Sequence, residues 1–363
     1  MLSACSSPKK FDRYRTPAFE GSYLDNVDLI FEETLQIPIP DNIMNFYMRT
    51  ALIEERYLYG ISLLDPLNIC KFDIEKGELI DVVSLDRNIL GATDILSFAP
   101  LSEDSILIAT WPQLSLIMID SEGAVIDRWD MESLTISNAS TLENFTYYGG
   151  EENLYCTLTP GTYDERGEPG IMRHGVYSLK ERQWISLFGP YEGVLKYKGD
   201  DNVYYPDMHH PYQLVVGENI YITYPVDHKV YIYSKKTKKL ESEVDISPEI
   251  ATIIPLPLEY IMAIEDPKRL RELRNNSIYY GPLYYHKDLA IYSRFCNYKS
   301  DDEWMRAIIV YDRDFNRLCE KSFLLNEILA IQPSATGFII QPYNPYEADI
   351  ASFIKVTIKK REE

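Results

Sequence analysis

A hairpin of two apolar strands recurs six times along the chain, and that repetition limits the available folds more than any single motif. Copy one is Tyr57-Leu58-Tyr59-Gly60 followed by Ile69-Cys70-Lys71-Phe72-Asp73, and copy two is Ile106-Leu107-Ile108-Ala109 followed by Ile117-Met118-Ile119-Asp120. The others open at Leu154, Ile220, Leu289 and Phe338, and their second strands open at Gly175, Tyr231, Ile309 and Phe353. Alternation with period two, rich in Ile, Val and Tyr, marks half-buried strands. After the second strand stand turn-forming and solvated segments such as Glu75-Lys76-Gly77, Ser121-Glu122-Gly123 and Lys235-Lys236-Thr237-Lys238-Lys239.

Each hairpin is preceded by a further apolar run, as at 46–53, 95–101 and 212–216, and five are followed by another, as at 78–84 and 125–129. Four strands in roughly 50 residues is the size of a propeller blade. The sixth copy runs out at Lys360 with three strands, and residues 27–37 supply the missing one. A ring closed by an N-terminal strand has no exposed sheet edge. A β-sandwich array would leave that strand without a role. The expected fold is therefore all-β: a single six-bladed β-propeller over 25–363, closed by its N-terminal strand. One helical insertion is expected before blade five, at about 259–275, where Asp266-Pro267 is followed by good helix formers.

The chain carries 56 acidic and 36 basic side chains, a formal net charge of −20. Such a chain repels nucleic acid and anionic membrane surfaces, so neither is expected as a partner. No stretch of 18 apolar residues occurs, and no C-x-x-C, G-x-S-x-G or glycine-rich phosphate motif appears. Cys70, Cys156 and Cys319 stand among alternating apolar residues and read as small buried hydrophobes, while any disulfide pairing stays open.

Residues 1–24 read as a polar tether. Within it Leu2-Ser3-Ala4-Cys5 resembles a bacterial lipobox, in which the cysteine becomes the lipidated N-terminal residue. The basic and apolar stretches of a signal peptide do not stand before it. Two readings follow: a lipoprotein of the cell envelope anchored through Cys5, or a free cysteine in a tail, with a cytoplasmic protein.

The six hairpins, this start, and Tyr279-Tyr280-Gly281-Pro282-Leu283-Tyr284-Tyr285 running into Leu289-Ala290-Ile291-Tyr292 together resemble the six-bladed propeller lipoproteins of Bacteroidetes. Their architecture is TolB-like, and many are assigned only to domains of unknown function. The resemblance spans about 25–360 and implies export, lipid anchoring and no established activity.

In a propeller the loops from strand two to three and those between blades share one face. His174 and His228 fall in the former loops on this alignment, and His209 and His210 in the loop entering blade four, whereas His286 falls on the opposite face. The densest cluster is Tyr204-Tyr205-Pro206-Asp207-Met208-His209-His210-Pro211-Tyr212, with Asp227-His228 expected beside it. Imidazole with Asp207 or Asp227 would suit a transition metal, but no His-x-His or His-Glu-x-x-His spacing occurs, so no metal or other cofactor is expected. With Tyr205, Tyr212, Trp111, Trp304 and Tyr343, the same residues form a surface on which flat rings could stack on sugars or pack on peptides. The structural alternative is that His-Pro and Tyr-Pro pairs stiffen loops. The expected function is non-catalytic binding of a protein or glycan by a monomer. A carbohydrate-active hydrolase or lyase, using carboxylates and histidines around the central funnel, is the competing reading. The five-residue basic string reads as a solvated turn on the far face.

Overall fold

The computed structural model describes residues 26–40, 43, 48–53, 55–62, 66–111, 115–130, 140–147, 152–160, 172–190, 211–248, 279–300, 303–324, 328–342 and 349–361. The helix expected at 259–275 and Cys5 lie outside them. Two short strands come first, β1 (Val27–Phe31) and β2 (Leu35–Pro38). Blade one is β3 (Met48–Ile53), β4 (Tyr57–Ser62), β5 (Asn68–Asp73) and β6 (Glu78–Ser84). A single helical turn, α1 (Arg87–Leu90), follows, capped by the Asp86 carboxylate on the Asn88 N–H at 2.7 Å.

Blade two is β7 (Asp94–Ser102), β8 (Ser105–Trp111), β9 (Ser115–Asp120) and β10 (Val125–Asp130). Blade three is β11 (Ser140–Tyr147), β12 (Asn153–Pro160), β13 (His174–Ser178) and β14 (Gln183–Phe188). Blade four is β15 (Tyr212–Val216), β16 (Asn219–Thr223), β17 (Lys229–Ser234) and β18 (Leu240–Asp245). Blade five is β19 (Tyr279–His286), β20 (Ile291–Ser300), β21 (Glu303–Tyr311) and β22 (Arg317–Leu324). Blade six has β23 (Ile328–Ser334), β24 (Gly337–Pro342) and β25 (Ile350–Lys360) from the end of the chain. All neighbouring strands within a blade are antiparallel. The fifth hairpin begins two residues later than its sequence suggests, because Leu289 and Ala290 belong to the turn before β20.

The closing strand is present, but it is split. Val27 to Phe31 pair with Lys360 to Val356, and Leu35 to Pro38 pair with Phe353 to Ile350. Three residues on the N-terminal side, Glu32 to Thr34, face two on β25, so one extra residue bulges between the segments. The Arg361 N–H donates to the Asn26 carbonyl at 3.0 Å and its guanidinium grips Asp28, which closes the outer end of the clasp.

The same irregularity recurs in every other blade. Strands three and four slip by one residue near their connecting turn, leaving Ile80, Ile126, Ile185, Glu241 and Leu318 as the extra residues. An extra residue turns an inward position outward, and this accounts for the exposure of Ile80, Ile126 and Ile185 on an otherwise alternating strand. The bulges also add twist to each outer strand.

Six hydrophobic clusters hold the ring, one at each blade interface. Residues such as Ile69 and Ile106 join blades one and two, Leu116 and Leu154 join two and three, and Val176 and Ile222 join three and four. Tyr221 and Ile309 join four and five, Ile308 and Ile354 join five and six, and Phe353 and Phe72 join six to one. Middle strands are buried on both faces, as in β13 and β24, whereas outer strands such as β18 are largely exposed. The tyrosines of the middle strands belong to this packing, and their hydroxyls lace neighbouring blades. Tyr311 donates to the Ile246 carbonyl at 3.0 Å, and Tyr292 donates to the Tyr221 hydroxyl at 3.0 Å. Cys70, Cys156, Cys296 and Cys319 are all buried thiols in the same walls.

The turns between strands three and four share one construction. Each opens on Asp or Ser, whose side chain accepts backbone N–H groups: Asp73, Asp120, Ser178, Ser234 and Asp312. Three or four residues later the backbone enters the left-handed region, at Gly77, Gly123, Arg182, Lys238 and Phe315. Glycine is required where the preceding blade crowds in, since a Cβ at Gly123 would stand 2.9 Å from a Val83 methyl. Where a side chain occupies the position, it reaches the preceding blade, and Phe315 packs on its own blade as well. The Arg182 guanidinium covers the Trp129 ring at 5.0 Å, the Lys238 ammonium lies 5.7 Å from the Tyr155 ring, and Phe315 packs on Tyr292 and Tyr221.

Candidate functional site

Strands one and three begin at the end of the ring where the sequence places the recognition face. Five of the residues expected there fall within described chain with their side chains: His174, Tyr212, Asp227, His228 and Trp304. Trp111 ends β8, opposite Asp94. Tyr205, Asp207, His209, His210 and Tyr343 lie outside the described residues.

His174 is the first residue of β13, held opposite Thr157 on one side and Phe188 on the other, and it is fully buried. Its ring therefore lies inside the interface of blades three and four and not on a loop. Nδ1 donates to the Gln213 side-chain oxygen at 3.0 Å, and Nε2 meets no partner among the described residues. Burial holds this imidazole at about 4, against the partial support of Gln213 and with Arg173 pushing the same way as burial. At neutral pH it is an uncharged spacer.

Asp227 and His228 are adjacent but part company. The Asp227 carboxylate is buried, accepting the Tyr231 hydroxyl at 2.7 Å and the Lys229 N–H at 3.0 Å. Burial and this carboxylate push the Tyr231 phenol far above its usual range. His228 is half-buried and reaches Asp245 at 3.2 Å. Asp245 is held below the usual carboxylate range: burial opposes ionisation, and Ser247 and His228 outweigh it. Tyr212 opens β15 opposite Thr223, and Trp304 sits near the start of β21 opposite Lys299; both are half-buried.

Beneath these residues runs a polar layer that the sequence reading did not find. Arg294, in the middle of β20, is buried and donates to three backbone carbonyls: Tyr224 at 2.7 Å, Gly281 at 2.9 Å and Asp227 at 3.0 Å. Tyr224 and Asp227 belong to the strand-two to strand-three loop of blade four, and Gly281 to blade five. One guanidinium thus fixes that loop to the next blade. Its own charge is disfavoured by burial, in part offset by nearby phenols including Tyr212. Its face rests on the Tyr280 ring at 4.6 Å. Arg306 similarly donates to the Asn297 side chain at 2.8 Å. A charged residue inside the run Ile291-Tyr292-Ser293-Arg294-Phe295-Cys296 was the available signal.

His286, expected on the opposite face, ends β19 and is buried, bonded to the Ser334 carbonyl at 2.8 Å and the Ser293 hydroxyl at 2.7 Å. No three His, Cys, Asp or Glu side chains among the described residues are grouped to hold a metal ion. No helix among them is long and apolar enough to cross a membrane.

Residues 26–322 match the model of a family described as a domain of unknown function, DUF4221. The crystal structure of a DUF4221 family member from Bacteroides vulgatus aligns with a TM-score of 0.73 at 16% identity, covering 93% of this chain and 100% of that one. A Bacteroides fragilis protein described as a candidate exported protein aligns with a TM-score of 0.59 at 11% identity, covering 94% and 98%. Likeness at such low identity is a likeness of fold. No curated protein matches the chain.

Proposed function

We propose that this chain, which belongs to the DUF4221 family of domains of unknown function, is an exported propeller that binds a protein or glycan without chemistry. The observation that carries the reading is the engagement of Asp227 and His174. Asp227 and His174, one of the two carboxylates and one of the four imidazoles expected at the site, are buried, bonded to wall residues and withdrawn from any reactant. A general acid or base must reach the proton it moves, and neither does. Half-buried Tyr212, Trp304 and His228 remain at the same end, a set suited to contact through rings and weak polar groups. The Bacteroides fragilis neighbour's description supports export, and Cys5 is the residue through which an envelope anchor would attach.

A glycan array and a pull-down from envelope extract, run beside a turnover assay on every captured sugar, test this. Binding without product is expected, weakened about tenfold or more by Tyr212→Ala or Trp304→Ala with the fold intact. Product formation from a bound glycan would overturn the reading. Export is tested separately by cell fractionation of the wild type and Cys5→Ser, and an unchanged membrane fraction would remove the anchor.

A further inference from the structure

Two cavities open on the outer rim, in equivalent places on successive blade interfaces. The first, about 320 Å³, lies where the end of β10 meets the β13–β14 turn. Its only lysine, Lys180, faces Glu152 at 3.5 Å, and the charge there is balanced. The second, about 550 Å³, lies where the end of β14 meets the β17–β18 turn. Its charge is not balanced.

The turn contributes Lys236, Lys238 and Lys239 to that second cavity. Lys238, in its left-handed conformation, turns inward toward the Lys235 carbonyl and the Tyr155 ring. Lys236 and Lys239 are exposed and have no ion-pair partner among the described residues. Several other lysines are paired: Lys76 meets Glu78, Lys229 meets Glu243 and Lys355 meets Glu32. In a chain with 56 acidic side chains, two ammonium groups that line one cavity with no ion-pair partner among the described residues form a local positive field.

The opposite wall is β14. Phe188 lines its floor at 3% exposure, and Met172 and Leu240 at the edges are 38% and 41% exposed, among the few large apolar side chains left open to solvent. Between them the Ser186 hydroxyl is shielded from solvent and has no hydrogen-bond partner among the described residues.

We propose that this cavity binds a small organic anion, its acidic group held by Lys236 and Lys239 and its apolar body laid against Phe188, Met172 and Leu240. Ser186 then supplies the one hydrogen-bond donor on the apolar side. Met172, just before β13, and Gly189 and Pro190, just after β14, line it at the end of blade three that carries His174, and the lysine turn of blade four forms the other wall.

Calorimetric titration of the full chain with octanoate and phenylacetate, and with octanol and phenylacetamide as uncharged counterparts, tests the proposal. At least one anion should bind about tenfold tighter than its counterpart, and raising the salt should weaken it severalfold. The double variant Lys236→Glu/Lys239→Glu should lose about tenfold or more in affinity at an unchanged melting temperature, while Lys180→Glu at the first cavity should bind as the wild type. Binding of neither anion, equal binding of the uncharged counterparts, or undiminished binding by the double variant would each overturn it.

Discussion

The ring of Phe315 lies stacked on that of Tyr292, centroids 4.7 Å and planes 19° apart, from a backbone position at φ 63°. Glycine is the usual tenant of that conformation, and a phenylalanine there costs about 1 kcal/mol. The ring is 9% exposed and fills the place on the rim that stands open between blades three and four. Packing against Tyr292, Tyr221 and Tyr311 therefore outweighs the backbone cost. Phe315→Gly should relieve the strain yet destabilise by about 2 kcal/mol in urea unfolding. A neutral or stabilising result would mean that the stacking contributes little.

Gly123 and Gly217 both have positive φ, at 85° and 59°, but only Gly123 faces a neighbour. An added methyl at Gly123 meets Val83 at 2.9 Å, while at Gly217 nothing lies within 4 Å. Both alanine variants share the backbone penalty, so their difference reports the clash alone. Gly123→Ala should cost about 1 kcal/mol more than Gly217→Ala. Equal costs would show that blade one yields freely to the turn.

His174 and His286 both stay neutral down to about pH 4, chiefly because burial penalises the cation. In the unfolded chain each takes its proton near pH 6.5. Between those values the unfolded state binds more protons than the folded one, so stability falls as the pH is lowered from about 6.5 to 4 and is complete above that window. The loss should approach about 3 kcal/mol per histidine, and His286→Gln should flatten the slope by about half. Unfolding midpoints measured across this range give the answer, and a variant as steep as the wild type would exclude His286 as a source.

Arg294 donates to three carbonyls, of which that of Tyr224 also accepts the Asp227 N–H at 3.2 Å. Arg294→Met keeps most of the volume and leaves those oxygens buried, for an expected loss of about 3–5 kcal/mol in denaturant unfolding. Arg294→Lys should recover little, since one ammonium cannot span three acceptors arranged around a planar fork. Recovery to wild-type stability by lysine would mean that charge, not geometry, is what the position needs.

The propeller itself was legible because middle strands are buried on both faces and each copy repeats the same run, from Tyr57-Leu58-Tyr59 to Phe338-Ile339-Ile340. The N-terminal strand was legible because blade six ended one strand short. The bulges were not, although Leu79-Ile80 and Val125-Ile126 place two apolar residues side by side where alternation allows one. Only the pairing register shows that the second of each pair faces out. At the expected recognition face the alignment put His174 in a loop because a strand boundary one residue away decides between exposure and full burial. Asp227 drew notice for its neighbour His228, but its role depends on Tyr231, which alternation had already assigned to the core. The lysine turn was recognised as a turn; its cavity depends on what β14 of the previous blade presents, and no local pattern carries that.

The clasp that completes blade six also decides how the ring would respond to force. Val27 stands opposite Lys360, so the two ends of the closing pair leave the sheet side by side. A pull that separates them loads the Asn26–Arg361 bond first, then each rung of β1 in turn, and peels the sheet instead of shearing it. The slip between β1 and β2 interrupts that peeling after Phe31, leaving β2 on β25 as a second stop. A propeller built this way yields to tension at its seam in two steps, with five blades and three strands of the sixth still folded behind it.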